Sequence, residues 1–296
     1  MPPGANLARH YLRSTLRAAA TVLPEPLRSR AAGALGGLGP TVGDLGVDWS
    51  ARPTVEHPRP VVLLHGTNDT AAAFGPLAEA LRAAGHVVFA TDYGRERCSV
   101  RGRAGGAGTA QLWTSAREIA RFIDKVLAAT GAARVDLVGH SQGGLHAHAY
   151  VRGAGSQAAT GYAGAARVGR VVTLGSTVHG ASPLGPLDGL AHLVGVAPVL
   201  DAFLGPSARQ QVRGSDVLAW LGAEPDAAPG VAYTSIASRF DHTVRPVQAQ
   251  HLAPAPNVTN VRLQDVDPAS TTTHAGLPRD PTAIRLVLQA LGERST

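Results

Sequence analysis

The chain has 296 residues, 44% hydrophobic and 16% charged, with 35 Gly, 21 Pro and one cysteine, an apolar content that supports a sizeable core and excludes a disordered or collagen-like chain. Cys98 alone excludes an intrachain disulfide and a cysteine-rich zinc site. The net charge of +6 and pI near 10.2 point first to nucleic acid or an anionic surface, yet Lys125 is the only lysine and the arginines are scattered without a run of five or six, so the balance reads as composition rather than a binding patch.

Residues 1–46 read as an N-terminal extension: a helical stretch from Leu7 to Leu23, then Pro24 and Pro26, then a glycine-rich joint from Gly33 to Gly46. This segment is positively charged but has no continuous apolar run of signal-peptide length. No stretch in the chain approaches the roughly 18 apolar residues of a membrane span, so a soluble protein is expected.

Residues 47–296 read as one domain in which short apolar runs alternate with segments of helical period, the pattern of βα units and a mostly parallel sheet. The runs are VVLLH (61–65), VVFAT (87–91), VDLVGH (135–140), RVVTLG (170–175), VAYTSIA (231–237) and NVRL (260–263). They are nearly continuous, as strands buried on both faces should be. Between them Ala71–Ala84, Ala110–Ala129, Gln142–Val151 and Pro281–Leu291 read as helices, the last opened by an Asp280 N-cap and a first-turn proline. Residues 179–230 break the rhythm. Leu187, Leu190, Leu193 and Val194 have helical spacing, followed by Val199, Leu200, Phe203 and Leu204, and an insertion of this length reads as a cap or lid.

Gly139-His140-Ser141-Gln142-Gly143 lies directly between a strand and a helix, the context of a nucleophile elbow. Small residues two positions either side let strand and helix approach at a sharp turn. The Ser141 hydroxyl then projects above the carboxyl ends of the strands, and the Gln142 N–H points where an oxyanion would form. In VVLLHGTN, Gly66 lets the chain turn so that the Thr67 N–H converges on the same point, while His65 reads as a structural hydrogen bonder at the loop base.

A base is sought C-terminal to the serine, because this elbow has the chain order Ser, acid, His. His146 and His148 follow the serine on its own helix, where they cannot fold back onto it. Two apart, they also cannot share a metal. His179 and His192 belong to the insertion, and His242 and His251 would break the order, leaving His274 in the loop after the last strand. Asp241, after VAYTSIA, is favoured as the acid over Asp265 and Asp267, which crowd the histidine's own loop. Asn257-Val258-Thr259 matches a glycosylation acceptor by a pattern that arises often by chance. Arg95, Arg97, Arg101 and Arg103 read as a solvated loop, with attraction to anionic lipid as the alternative.

Together VVLLHGTN, VDLVGHSQGG, RVVTLGSTVHG, YTSIASRFDHTV and TTTHAGL resemble the α/β-hydrolase superfamily, specifically the small bacterial triacylglycerol lipases and esterases of actinobacterial and Bacillus type, from about Val61 to Leu291. The resemblance implies an α/β-hydrolase fold, a mostly parallel central sheet with helices on both faces and a helical cap. It implies a triad of Ser141, Asp241 and His274 and oxyanion donors at Thr67 and Gln142, and it favours secretion, with a cytoplasmic location as the alternative; the expected mechanism uses no cofactor or metal. Residues 179–230 are longer than in lidless members, and Gln142 stands where many relatives carry Met. The expected activity is hydrolysis of medium- to long-chain acylglycerol esters, at a lipid–water interface and without nucleic acid. A short-chain esterase, a polyester hydrolase and an acyltransferase are alternatives on this fold, and a non-catalytic protein binding an anionic polymer is a reading of another class.

Overall fold

The computed structural model describes residues 45, 47–155, 161–181 and 197–292. The helix predicted over residues 7–23, nearly all of the 1–46 extension, the leucine pattern of 187–194 and His192 lie outside them.

All six predicted runs are strands: β1 (Val61–Leu64), β2 (Val88–Ala90), β3 (Val135–His140), β4 (Val168–Leu174), β5 (Ala232–Ala237) and β6 (Val258–Arg262). They form one parallel sheet in the order β2-β1-β3-β4-β5-β6. Every residue of β1, β2 and β3 is buried, which accounts for their uninterrupted apolar character. The last strand differs from the expected 260–263. Its ladder with β5 starts at Val258, and Leu263 already opens a one-turn helix. As the edge strand, β6 exposes Thr259, Asn260 and Arg262, so its sequence is too polar to read as a buried run.

The major helices are α1 (Gly75–Ala83, entered through a 3-10 turn at Ala71–Phe74), α2 (Leu112–Thr130), α3 (Gln142–Val151), α4 (Ala197–Leu204), α5 (Asp216–Leu221) and α6 (Pro281–Ala290). Along α2 the buried side chains Leu112, Ser115, Ala116, Ile119, Ile123, Val126, Leu127 and Thr130 recur at intervals of one, three and four, a single apolar stripe. Asp280 caps α6 as predicted, its carboxylate accepting the Ala283 N–H at 2.9 Å, with Pro281 in the first turn.

Side-chain alternation along the strands divides the core. Val62, Leu64, Phe89 and Leu137 face α2 and α3, whereas Val61, Leu63, Val88 and Val138 face α1 and α6. Lys125, the sole lysine, sits on the first side with its ammonium 3.8 Å from the Trp49 ring, a cation–π contact at the core's rim. The insertion between β4 and β5 contributes α4, the turn of helix Pro206–Gln210 and α5. Loops leaving the carboxyl ends of β1, β3, β5 and β6 carry Thr67, Ser141, Asp241 and His274, the end of an open α/β sheet where ligands bind.

Candidate active site

Ser141 has φ 54° and ψ −120°, a positive φ that is uncommon for serine and holds backbone strain at the turn from β3 into α3. The flanking glycines have a steric reason. A Cβ on Gly139 would lie 2.4 Å from the Gly143 backbone, and one on Gly143 would lie 1.8 Å from the Leu64 carbonyl oxygen. The Ser141 N–H donates to Leu174 O at 2.9 Å, tying the elbow to the end of β4. Gln142, the first residue of α3, has no acceptor within its own helix for its N–H.

His274 Nδ1 lies 2.6 Å from Asp241 Oδ2. Asp241 is fully buried, and its Oδ1 accepts the backbone N–H groups of Thr243 and Val244 at 2.8 and 2.9 Å. Burial alone would raise this carboxyl, but His274 and the two N–H donors hold it below the ordinary carboxylate value. With Nδ1 turned to the carboxylate, Nε2 is the ring nitrogen left for proton transfer.

His140 ties the elbow to this pair. Its Nε2 lies 3.0 Å from the His274 carbonyl oxygen. A carbonyl can only accept, so the ring is the Nε2–H tautomer. The two imidazoles pack with centroids 4.7 Å apart. Burial, followed by the neighbouring His274, pushes His140 down to about 3, so it stays neutral. The residue immediately before Ser141 therefore supports the backbone of His274. Gly175 leaves room on the other side, where a Cβ would stand 3.1 Å from His274 Nδ1 and 3.2 Å from Asp241 Oδ2.

Thr67 and Gln142 approach across Gly108. A Cβ at Gly108 would meet Gln142 Oε1 at 2.8 Å and Thr67 Cα at 3.3 Å, and Gln142 Nε2 donates to Gly108 O at 3.1 Å. His65 has the loop-base role read from the sequence. Its Nδ1–H donates to Gly66 O at 2.8 Å, and the Tyr93 hydroxyl donates to its carbonyl.

The other candidates stand apart. His146 and His148 are buried in α3, pushed by burial down to about 3 and about 4. His179 pairs with Asp226 at 3.0 Å, and His242 is exposed. Asp265 pairs with Arg262 at 2.8 Å, while Asp267 accepts the Ala269 N–H and the Thr282 hydroxyl, each at 3.2 Å. The Asn257 amide donates to Ala228 O and Val231 O at 2.9 and 2.8 Å, so it is engaged in the turn before β6. The arginine loop is not uniformly solvated: Arg101 is buried, Arg95 approaches Asp92 at 3.5 Å, and Arg103 donates to the carbonyls of Arg97 and Cys98. Sequence reasoning passed over His140, Gln250, whose amide donates to Asp241 Oδ2 at 3.0 Å, and Gln211, whose amide donates to Thr67 Oγ1 at 2.9 Å. Only His140 left a sequence signal, its place inside the elbow.

This sheet, with a strained serine at the β3–α3 turn and a histidine–carboxylate pair beyond β5 and β6, has the architecture of α/β-hydrolase lipases and esterases, which are carboxylic ester hydrolases. The model of the lipase (class 2) family matches residues 58–275, more than half of the chain, and the protein belongs to that family. Aspergillus fumigatus lipase B superposes with a TM-score of 0.61 at 18% identity, the match covering 84% of this chain and 55% of that one. The chain thus spans little more than half the length of the fungal lipase. Bacillus licheniformis lipase BlEst2 in its mature form gives 0.56 at 17% identity, covering 83% of this chain and 96% of that one. Paleococcus ferrophilus monoacylglycerol lipase gives 0.53 at 16%, covering 79% and 95%. These likenesses concern the fold. No curated protein sequence matches significantly. Among the described residues no helix is long and apolar enough to cross a membrane.

Proposed function

We propose that the protein hydrolyses medium- to long-chain acylglycerol esters through an acyl-enzyme on Ser141. Ser141 Oγ attacks the ester carbonyl carbon while His274 Nε2 takes the hydroxyl proton, and the Thr67 and Gln142 amides hold the developing oxyanion. The imidazolium gives that proton to the departing alcohol oxygen as the ester C–O bond breaks. Water then attacks the acyl-serine with His274 again as base, releasing the acid and restoring Ser141. Asp241 fixes the ring tautomer and stabilises the imidazolium.

The observation that carries this reading is the 2.6 Å contact of His274 Nδ1 with buried Asp241, held one residue from the strained Ser141 through the His140 bond to His274 O. The chain-length preference is supported by the insertion. Val100, Pro198, Val199, Ala202 and Phe203 line an open apolar surface groove of about 410 Å³, and Val199 and Phe203 stay exposed there, as suits contact with acyl chains or a lipid–water interface.

Initial rates on p-nitrophenyl esters of increasing acyl length and on a triglyceride emulsion, beside Ser141→Ala, test both levels. Rates that rise with chain length, persist on the emulsion and vanish in the variant are expected. Activity confined to short soluble esters overturns the acyl preference, and activity surviving in Ser141→Ala overturns the mechanism.

A further inference from the structure

Gln211 follows the helical turn Pro206–Gln210 inside the insertion and is buried. Its amide makes three hydrogen bonds whose partners settle its orientation. Ser207 O can only accept, so Nε2 faces it, at 3.0 Å. The second amide hydrogen goes to Thr67 Oγ1 at 2.9 Å, and Oε1 accepts the Thr177 hydroxyl at 2.9 Å. The backbone of Gln211 is also anchored, its carbonyl accepting the Ala181 N–H at 2.8 Å.

The two threonines stand on loops that flank the nucleophile. Thr177 lies beyond β4 and its N–H donates to Ser141 O at 3.4 Å. Thr67 follows Gly66, whose absent Cβ would lie 3.1 Å from Ser141 Cβ. It precedes Asn68, which has a positive φ of 59°. Gly66 adds little conformational restraint of its own, and the partly buried Thr67 hydroxyl is held by a residue nearly 150 positions away in sequence. A neighbouring bond repeats the arrangement. Ser207 Oγ donates at 2.7 Å to Gly108 O, the carbonyl that also takes Gln142 Nε2.

We infer that Gln211 is a positioning residue for ester hydrolysis: it clamps the Thr67 loop to the Thr177 loop and so sets the Thr67 N–H in register with that of Gln142. This rests on the proposed reading of Thr67 and Gln142 as oxyanion donors. The root of the insertion then belongs to the catalytic apparatus and is more than a cover over it. Loss of the clamp should lower kcat rather than raise KM, because a misplaced donor weakens binding of the oxyanion formed in the transition state and leaves ester binding unchanged.

The test uses the full chain and a soluble short-chain p-nitrophenyl ester, with Gln211→Leu, Thr67→Val, their double variant, Thr67→Ser and Ser141→Ala, and thermal midpoints measured alongside. Gln211→Leu and Thr67→Val should each lower kcat on the order of 10- to 100-fold with KM within about twofold. The double variant should fall no further than the worse single variant, since the bond that Thr67→Val removes is one of the three that Gln211→Leu removes. Thr67→Ser, which keeps the acceptor oxygen, should recover most of the rate. If Gln211→Leu does not fold, the Thr67→Val and Thr67→Ser pair carries the test. Unchanged kcat in the folded variants, losses that multiply in the double variant, or an effect confined to KM would each overturn the inference. A dead Ser141→Ala beside a fully active Gln211→Leu overturns this inference alone, whereas an active Ser141→Ala overturns the hydrolase mechanism beneath it.

Discussion

Gln250 donates its side-chain N–H to Asp241 Oδ2 at 3.0 Å, the same oxygen that meets His274 Nδ1. The second amide hydrogen goes to Val244 O at 3.0 Å, so the glutamine is fixed by the loop that presents the carboxylate. With Thr243 and Val244 on Oδ1, the buried carboxylate is surrounded by four donors. That number matches its accepting capacity and explains how it stays ionised without contact with water.

Replacing Gln250 with Leu should therefore weaken both fold and site. A hydrogen bond to a charged, buried acceptor is worth about 2 kcal/mol, so urea denaturation should register a loss of that order. The loosened Asp241 should lower kcat/KM by roughly 10-fold, which corresponds to about 1.4 kcal/mol of transition-state stabilisation. A variant with unaltered stability and kcat/KM would show that Gln250 merely fills space.

The strain at Ser141 predicts an opposition between stability and activity. Glycine adopts a φ of 54° without penalty, and strained positions of this kind cost on the order of 1–3 kcal/mol. Ser141→Gly should abolish ester hydrolysis while raising the unfolding free energy by about 1 kcal/mol. Thermal melting beside an activity assay decides it, and a destabilised variant would contradict the strain argument.

What the sequence made legible follows the range of the forces involved. The elbow was readable because its steric demand is local: Gly139, Ser141 and Gly143 constrain one another within five residues. The pairing of Asp241 with His274 was readable because parallel strands deliver successive loops to one end of the sheet. Gln211 and Gln250 were not readable, since their meaning lies in partners such as Thr67 Oγ1 and Asp241 Oδ2 that only the folded chain brings near. The early start of β6 was hidden for a related reason, because at an open edge the ladder tolerates Thr259 and Asn260 facing solvent.

Glycines of the same chemical type should respond in opposite ways. Gly143→Ala places a Cβ 1.8 Å from Leu64 O, against backbone that cannot move without breaking β1, so a loss of more than about 4 kcal/mol or failure to fold is expected. At Gly75, the first residue of α1, an added Cβ meets nothing within 4 Å and φ is −42°. Gly75→Ala should leave activity unchanged and stabilise by roughly 0.5 kcal/mol through the unfolded state. Parallel denaturant titrations of the two variants test the contrast, and similar destabilisation in both would refute it.

The buried imidazoles predict acid lability well above the range where carboxylates titrate. Burial pushes His140 and His146 down to about 3 and His148 down to about 4, against an ordinary value of 6.5. These rings stay neutral in the folded protein while the unfolded chain takes up protons below pH 6.5, so stability is greatest above that pH and falls as pH drops toward 4. Each ring contributes a slope of up to about 1.4 kcal/mol per pH unit in that window. Asp241, held below its ordinary value, extends the loss to still lower pH. His179 works the other way: its bond to Asp226 raises it, so its contribution is present at low pH and fades as pH rises through its folded value. His146 isolates the effect best. Neither of its ring nitrogens has a hydrogen-bond partner among the described residues, and it packs edge-on against Tyr93 with centroids 5.1 Å apart. His146→Leu should keep most of the stability at pH 8 and remove about one proton's worth of slope between pH 6.5 and 4, measured by urea denaturation across that range. An unchanged slope would mean that His146 takes up its proton in the folded protein as readily as in the unfolded chain.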